Sequence, residues 1–73
     1  MYRPQWDRAI SACDSRRVYH RDECITASNN ATHYQEMEMF EECEHYARIE
    51  SYHDKRYKFW KSLGGFCRSL RTR

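Results

Sequence analysis

Residues 13–24 read CDSRRVYHRDEC, a run that begins and ends with cysteine. An α-helix has 3.6 residues per turn, so the step from Cys13 to Cys24 makes about three turns and puts both thiols on one face. Two more cysteines follow, Cys43 and Cys67, and no two of the four have the Cys-x-x-Cys spacing of a zinc knuckle or a redox motif. The run therefore predicts a helical hairpin that two disulfides staple together.

The residues on either side of this run predict a first helix over about 5–26. Its inward face recurs at spacings of three and four: Trp6, Ile10, Cys13, Arg17, His20 and Cys24. Pro4 suits the first turn of a helix, because proline lacks the N–H that this turn leaves unpaired. The polar run from Ser28 to Thr32 is typical of a turn, so a loop is expected over 27–32.

A second helix is predicted over about 33–63. It begins among glutamates and ends among lysines and arginines, an order that suits the helix dipole. Its apolar face is formed by Met39, Cys43, Tyr46, Ile49, His53, Tyr57 and Trp60. The pair Gly64-Gly65 is typical of a helix stop, after which a short segment over 64–73 is expected to return along the hairpin. The expected fold is all-α, an antiparallel hairpin that forms a single domain over 1–73.

The composition indicates a thin core. The chain has 73 residues, of which 33% are charged and 15% aromatic. Chains below roughly 70–80 residues rarely hold together by core burial alone. The charge is segregated, with a net +1 in residues 1–31, −5 in residues 32–50 and +6 in residues 51–73, which sum to the overall +2. A surface rich in aromatic side chains is expected to lie against something larger.

Helix geometry ranks the possible disulfide pairings. A loop over 27–32 would place Cys24 and Cys43 near the closed end of the hairpin, within reach of each other. Cys13 would lie about 16 Å further along the first helix, and the return segment would bring Cys67 to its level. The expected bridges are therefore Cys24–Cys43 and Cys13–Cys67. A Cys13–Cys24 bridge is excluded if the first helix is intact, since thiols so far apart cannot bond.

Disulfides need an oxidising compartment. The N-terminus lacks the apolar core of a secretory signal, and no segment approaches the roughly 18 apolar residues of a membrane span. The mitochondrial intermembrane space oxidises proteins that are imported without a cleaved signal, and it is the expected location, peripheral to the inner membrane. Two alternatives stay open: a signal removed before Met1, and thiols that remain reduced in the cytosol.

A helical hairpin with two cysteines in each arm and nested bridges resembles the coiled-coil-helix-coiled-coil-helix proteins of the mitochondrial intermembrane space. The family commonly has nine residues between the cysteines of an arm, whereas this chain has ten in the first arm and twenty-three in the second. The resemblance implies an accessory subunit of a respiratory-chain complex, with a structural role in electron transport. The segment Cys43-Glu44-His45-Tyr46 before a long basic helix resembles one membrane-arm subunit of complex I, which favours that complex.

The sequence offers little for catalysis or cofactor binding. His20 and Cys24, four residues apart, could present two zinc ligands on one helix face, but Cys43 and His45 point in different directions and make a poor second half. No nucleophile elbow, phosphate loop or dinucleotide motif occurs. The protein is expected not to be an enzyme and to need no cofactor. A metallochaperone or assembly factor that uses the thiols is an alternative.

The basic segment from Lys55 onward carries the predicted interface residues, Tyr57, Phe59, Trp60 and Phe66. Aromatic side chains mixed with arginine and lysine are typical of protein interfaces, and the expected partners are other subunits of a large membrane-associated complex. The same mixture could meet anionic lipid headgroups. It could also bind RNA, which makes a mitochondrial ribosomal or RNA-associated subunit a further alternative, although nucleic acid is the less favoured partner.

Overall fold

Two long helices form an antiparallel hairpin in the computed structural model, which describes residues 4–72. Helix α1 spans Pro4–Glu36 and helix α2 spans Phe40–Arg71. The helices are antiparallel, because contacting residues lie further apart in the sequence with distance from the turn. Tyr34 stacks on Tyr46 near the turn, and Asp7 pairs with Arg71 at the open end. No strand occurs in residues 4–72, so the all-α hairpin predicted from the sequence is confirmed at this level.

The hairpin turn lies at residues 37–39, and the loop predicted over 27–32 is wrong. The polar run continues as helix because Ala27 and Ala31 are buried against α2, while Asn29 and Thr32 face outward. Packing of the two short side chains outweighs the weak preference of asparagine and threonine for turns. The real turn is closed by backbone hydrogen bonds from Glu38 to Gln35 (3.0 Å) and from Met39 to Tyr34 (2.9 Å).

The predicted helix stop at Gly64-Gly65 is also wrong. Helix α2 runs through both glycines to Arg71, so residues 64–72 do not form the predicted return segment, and Arg73 lies outside the described residues. Gly64 is buried against α1, where its missing side chain lets the two helices approach. Thr72 caps the helix, and its backbone N–H donates to the Arg68 carbonyl at 3.2 Å.

Predicted and observed contact faces agree well on both helices. Ile10, Cys13 and His20 are buried on α1, and the same face continues through Ala27 and Ala31. On α2 an inner stripe meets α1, and it consists of Cys43, Tyr46, Glu50, His53, Tyr57, Trp60, Gly64 and Cys67. Met39 and Ile49 were also assigned to this face from the sequence. Met39 instead lies exposed in the turn, and Ile49 lies outside the inner stripe, one residue before Glu50. Both faces repeat at alternating steps of three and four residues, the spacing of a coiled-coil seam.

The hairpin is a rod that buries little. Its principal extents are 57 × 13 × 12 Å and its radius of gyration is 16.5 Å, against about 11 Å for a compact chain of this length. It exposes 5650 Å² of surface, whereas a compact monomer of 9.0 kDa exposes about 4,900 Å². Neither helix has, within residues 4–72, an apolar stretch long enough to cross a membrane.

Candidate interaction face and interhelical contacts

Cys13 and Cys67 are neighbours near the open end of the hairpin. Both side chains are buried, and Cys67 is close enough to Cys13 to affect its titration. Burial raises the pKa of the Cys13 thiol, and the adjacent Cys67 raises that pKa further. All four cysteines are free thiols in the structure. The long α2 brings Cys67 opposite Cys13 directly, without the chain reversal that the sequence suggested.

Cys24 and Cys43 do not face each other, so the predicted inner bridge is incompatible with this register. The Cys24 thiol donates to the Glu50 carbonyl at 3.6 Å. Cys43 precedes Glu50 by seven residues, which places it about 10 Å away along the helix axis, and that distance is too great for a disulfide. The prediction failed because it placed the hairpin turn about eight residues too early, which shifts the expected register toward the N-terminus.

A pair of histidines joins the middle of the two helices. The Nδ1 atoms of His20 and His53 lie 2.8 Å apart, so one ring donates and the other accepts. The rings of Tyr19 and Tyr52 pack edge-on around the pair. Burial lowers the pKa of His20, and His53 lowers it further. The hydrogen bond needs one Nδ1 atom that carries a proton and one that does not. It would be lost if both Nδ1 atoms carried a proton.

The histidine pair does not make the zinc site that the sequence left open as an alternative. Both His20 and Cys24 face α2, as their spacing predicts. Their polar atoms already have partners there, the His53 ring and the Glu50 carbonyl. No cluster of three or more histidine, cysteine, aspartate or glutamate side chains in residues 4–72 could hold a metal ion.

Ion pairs line one side of the hairpin. Arg68 donates to both carboxylate oxygens of Asp14, at 2.7 and 2.8 Å, and Arg71 donates to Asp7 at 2.9 Å. Asp14 is also 3.7 Å from Arg17 on its own helix. These groups are partly exposed, so each pair is expected to contribute less than about 1 kcal/mol to stability. The pairs between α1 and α2 favour the observed alignment of the two helices at the open end of the hairpin.

The four predicted interface residues divide into two groups. Tyr57 and Trp60 are half-buried between the helices, and the Arg16 guanidinium of α1 lies 4.8 Å from the Trp60 ring centre. Phe59 and Phe66 point outward, with 49% and 60% of their surface exposed. Phe59 and Phe66 are therefore the members of this set that a partner could reach on the surface of the hairpin.

Phe59 and Phe66 belong to a longer pattern that the sequence analysis missed. An outer stripe runs along α2 at alternating steps of three and four residues, and it consists of Ile49, Tyr52, Arg56, Phe59, Leu63, Phe66 and Leu70. Each member is followed directly by a residue of the inner stripe, except Leu70, which is followed by Arg71, the last residue of α2. A step of one residue is a rotation of about 100°, so the outer stripe lies about a quarter turn around α2 from the seam with α1.

The outer stripe presents large apolar side chains to solvent. Tyr52 is 57% exposed, comparable to Phe59 and Phe66, while Ile49, Leu63 and Leu70 are half-buried along its inner edge. The Arg56 guanidinium lies 5.1 Å from the Phe59 ring centre and covers part of it. Helix α2 thus has two coiled-coil seams, of which α1 occupies one.

The spacing of the outer stripe was readable in the sequence. The inner and outer stripes are adjacent, so a single broad apolar face was assigned to α2, and Ile49 was counted within it. Comparison with known proteins adds no family or fold relative: no protein-family profile, curated protein or solved structure matches the chain.

Proposed function

We propose that this protein is a non-catalytic structural subunit, which binds a further helix through the outer stripe of α2. The observation that carries the proposal is the row of exposed aromatic side chains Tyr52, Phe59 and Phe66, spaced seven residues apart on a helix whose other seam is already filled. Exposure of apolar rings to water is unfavourable compared with their burial. A row of such rings is typical of surfaces that another protein covers.

The chemistry of the stripe favours a protein helix as the ligand. Its repeat of three and four residues matches the side-chain spacing of a second α-helix, as in coiled coils. Aromatic side chains and arginine are the residues that most often anchor protein interfaces. Arg56 lies among these rings, with its guanidinium near Phe59 and Trp60 of α2. It could also stack on an aromatic side chain of the bound helix.

We further propose that Cys13 and Cys67 form a disulfide in the functional protein. The contact of their thiols supports this bridge, whereas the register supports no bridge between Cys24 and Cys43. A single staple at the open end fits an oxidising compartment, and the mitochondrial intermembrane space remains the proposed location. On the resemblance stated above, the parent assembly would be a respiratory-chain complex, with complex I favoured.

Native gel electrophoresis of solubilised mitochondria tests the assignment. We expect the native protein to migrate with a complex far larger than 9.0 kDa, and the double variant Phe59→Ser, Phe66→Ser to migrate free of it. The matched control is Ile25→Ser, because Ile25 is 53% exposed but lies on α1, away from the outer stripe. Loss of migration with the control variant as well, or migration of the double variant with the complex, would contradict the proposal.

A further inference from the structure

We propose that the outer stripe of α2 binds the outer stripe of a second copy of this chain, with the two α2 helices antiparallel. This inference rests on the proposed function, in which the stripe binds a helix, and it names that helix. The product would be a four-helix assembly with the two α2 helices in contact and each α1 beside its own α2, about a quarter turn away from the new contact.

The distribution of charge favours a second copy as the partner. Residues 22–50, at the closed end of the rod, contain eight acids and one base, a net −7. Residues 4–21 and 51–72, at the open end, contain ten bases and three acids, a net +7. The chain is therefore a rod with two oppositely charged ends. An antiparallel neighbour places the negative end of each copy beside the positive end of the other.

The ion pairs within one hairpin leave most of this charge unmatched. Asp7 and Asp14 pair with Arg71 and Arg68 at the open end, where bases still outnumber acids. At the closed end, Glu44 pairs with Arg48 and Asp22 pairs with Arg21. A parallel second copy would place like ends together, and repulsion between them would oppose the apolar contact.

The apolar contacts of an antiparallel pair are self-complementary. With the two α2 helices fully overlapped, Ile49 of one copy meets Leu63 of the second copy. Tyr52 likewise meets Phe59 of the second copy. In this register the segment from Ile49 to Leu63, about 21 Å long, is used twice, once in each copy, and Phe66 and Leu70 meet His45 and Glu42 of the second copy. Arg56 faces its own counterpart at the centre of the contact, where each guanidinium lies by the Phe59 ring of its own chain.

Sedimentation analysis of the purified full chain tests the inference. At about 100 µM, well above a micromolar Kd, we expect twice the monomer mass of 9.0 kDa. The variant Phe59→Ser, Phe66→Ser should weaken dimerisation by about 100-fold or more, as expected when two aromatic anchors are removed. Ile25→Ser should leave the dimer intact. Both altered phenylalanines are largely exposed, so the circular dichroism of the hairpin should not change.

Orientation has its own measurement. Zero-length carbodiimide cross-linking of a mixture of isotopically light and heavy protein should join Glu50 or Glu44 of one copy to Lys61 of the other, since position 50 lies opposite position 61 when the two α2 helices overlap fully. Raising the salt from about 50 mM to about 500 mM should weaken the dimer, since screening removes the attraction between unlike ends. Cross-links between equivalent ends, or a dimer that strengthens with salt, would overturn the antiparallel arrangement.

Failure of this inference is distinguishable from failure of the proposed function. A chain that stays monomeric at about 100 µM overturns the homodimer. If the same chain still depends on Phe59 and Phe66 for migration with a large complex, the stripe binds a helix of a different protein. A dimer that both serine substitutions leave unchanged would overturn the use of the stripe in self-association.

Discussion

Gly64 of α2 lies directly against Cys13 of α1. A Cβ atom added at Gly64 would be 3.4 Å from the Cβ of Cys13 and 3.9 Å from a carboxylate oxygen of Asp14. The next residue, Gly65, has no heavy atom within 4 Å of the equivalent position. One glycine of the pair therefore permits close approach of the helices at the level of the Cys13–Cys67 contact, and the other faces solvent.

Substitution of the two glycines should separate these roles. Gly65→Ala should stabilise the hairpin by about 0.5–1 kcal/mol, because alanine favours helix and meets no obstacle. Gly64→Ala should stabilise it less, since its methyl group fills the space beside Cys13. Gly64→Leu should destabilise the hairpin by more than about 1 kcal/mol through overpacking. Urea unfolding followed by circular dichroism measures all three, and equal effects of leucine at both positions would contradict this account.

Oxidation of the purified protein should join Cys13 to Cys67 and leave Cys24 and Cys43 unpaired within the chain. The bridge encloses 53 residues, and loop entropy sets its contribution at up to about 4 kcal/mol. Non-reducing peptide mapping identifies the pair, and thermal unfolding of oxidised and reduced protein gives the gain. The variant Cys24→Ser, Cys43→Ser should show the same gain, whereas Cys67→Ser should show none. An intramolecular Cys24–Cys43 bridge in the folded protein would contradict the helix register.

Stability should fall as the pH is lowered through the titration range of histidine. Burial lowers the pKa of His20, so the unfolded chain binds a proton there more readily than the folded chain does. The stabilisation is present above the unfolded pKa of about 6.5 and is lost as the pH falls below it. Between about pH 7.5 and about pH 5, the urea midpoint of His20→Gln should fall less than that of the native chain. The exposed His33→Gln variant is the control, and it should retain the full pH dependence.

The turn residue Glu38 should be improved by glycine. Its φ angle is 58°, in the left-handed region that residues with a Cβ adopt at a cost. Glu38→Gly should therefore stabilise the hairpin by about 1 kcal/mol, while Ala47→Gly, at an exposed position inside α2, should destabilise it by a similar amount. Thermal unfolding of the two variants measures this opposition in sign. Destabilisation by both substitutions would show that the turn needs the Glu38 side chain.

The contact faces of both helices were predictable, whereas the positions of the turn and of the helix end were not. Periodicity identified Cys13 and His20 on α1 and Tyr46, Tyr57 and Trp60 on α2, since apolar spacing reports directly on burial. The run Ser28–Thr32 has the composition of a turn, and only the packing of Ala27 and Ala31 against a second helix keeps it helical. Local propensity is too weak to decide such a case.

Cysteine pairing depended on the turn, so its outcome was mixed. Cys13 and Cys67 come together, although by a straight α2 instead of the predicted reversal at Gly64. Glycine is typical of helix ends, and its second use, close approach of two helices, becomes visible only when the opposite residue is known. The outer stripe had a clear signal in its spacing, but two stripes one residue apart resemble one wide apolar face until the position of α1 is fixed.

The short turn also sets an order of folding. Tyr34 and Tyr46 are separated by few residues, whereas Arg71 and Asp7 are 64 residues apart, and the entropy lost on closing a loop grows with its length. The hairpin should therefore zip from the turn toward the open end, and it should fray in the opposite direction. Repulsion among the many bases at the open end adds to that fraying. Amide hydrogen exchange is thus expected to be fastest around Asp7 and Arg71. The contact of Cys13 with Cys67 lies near this end and is expected to form late in folding. A disulfide between them would hold together the end of the hairpin that opens most readily.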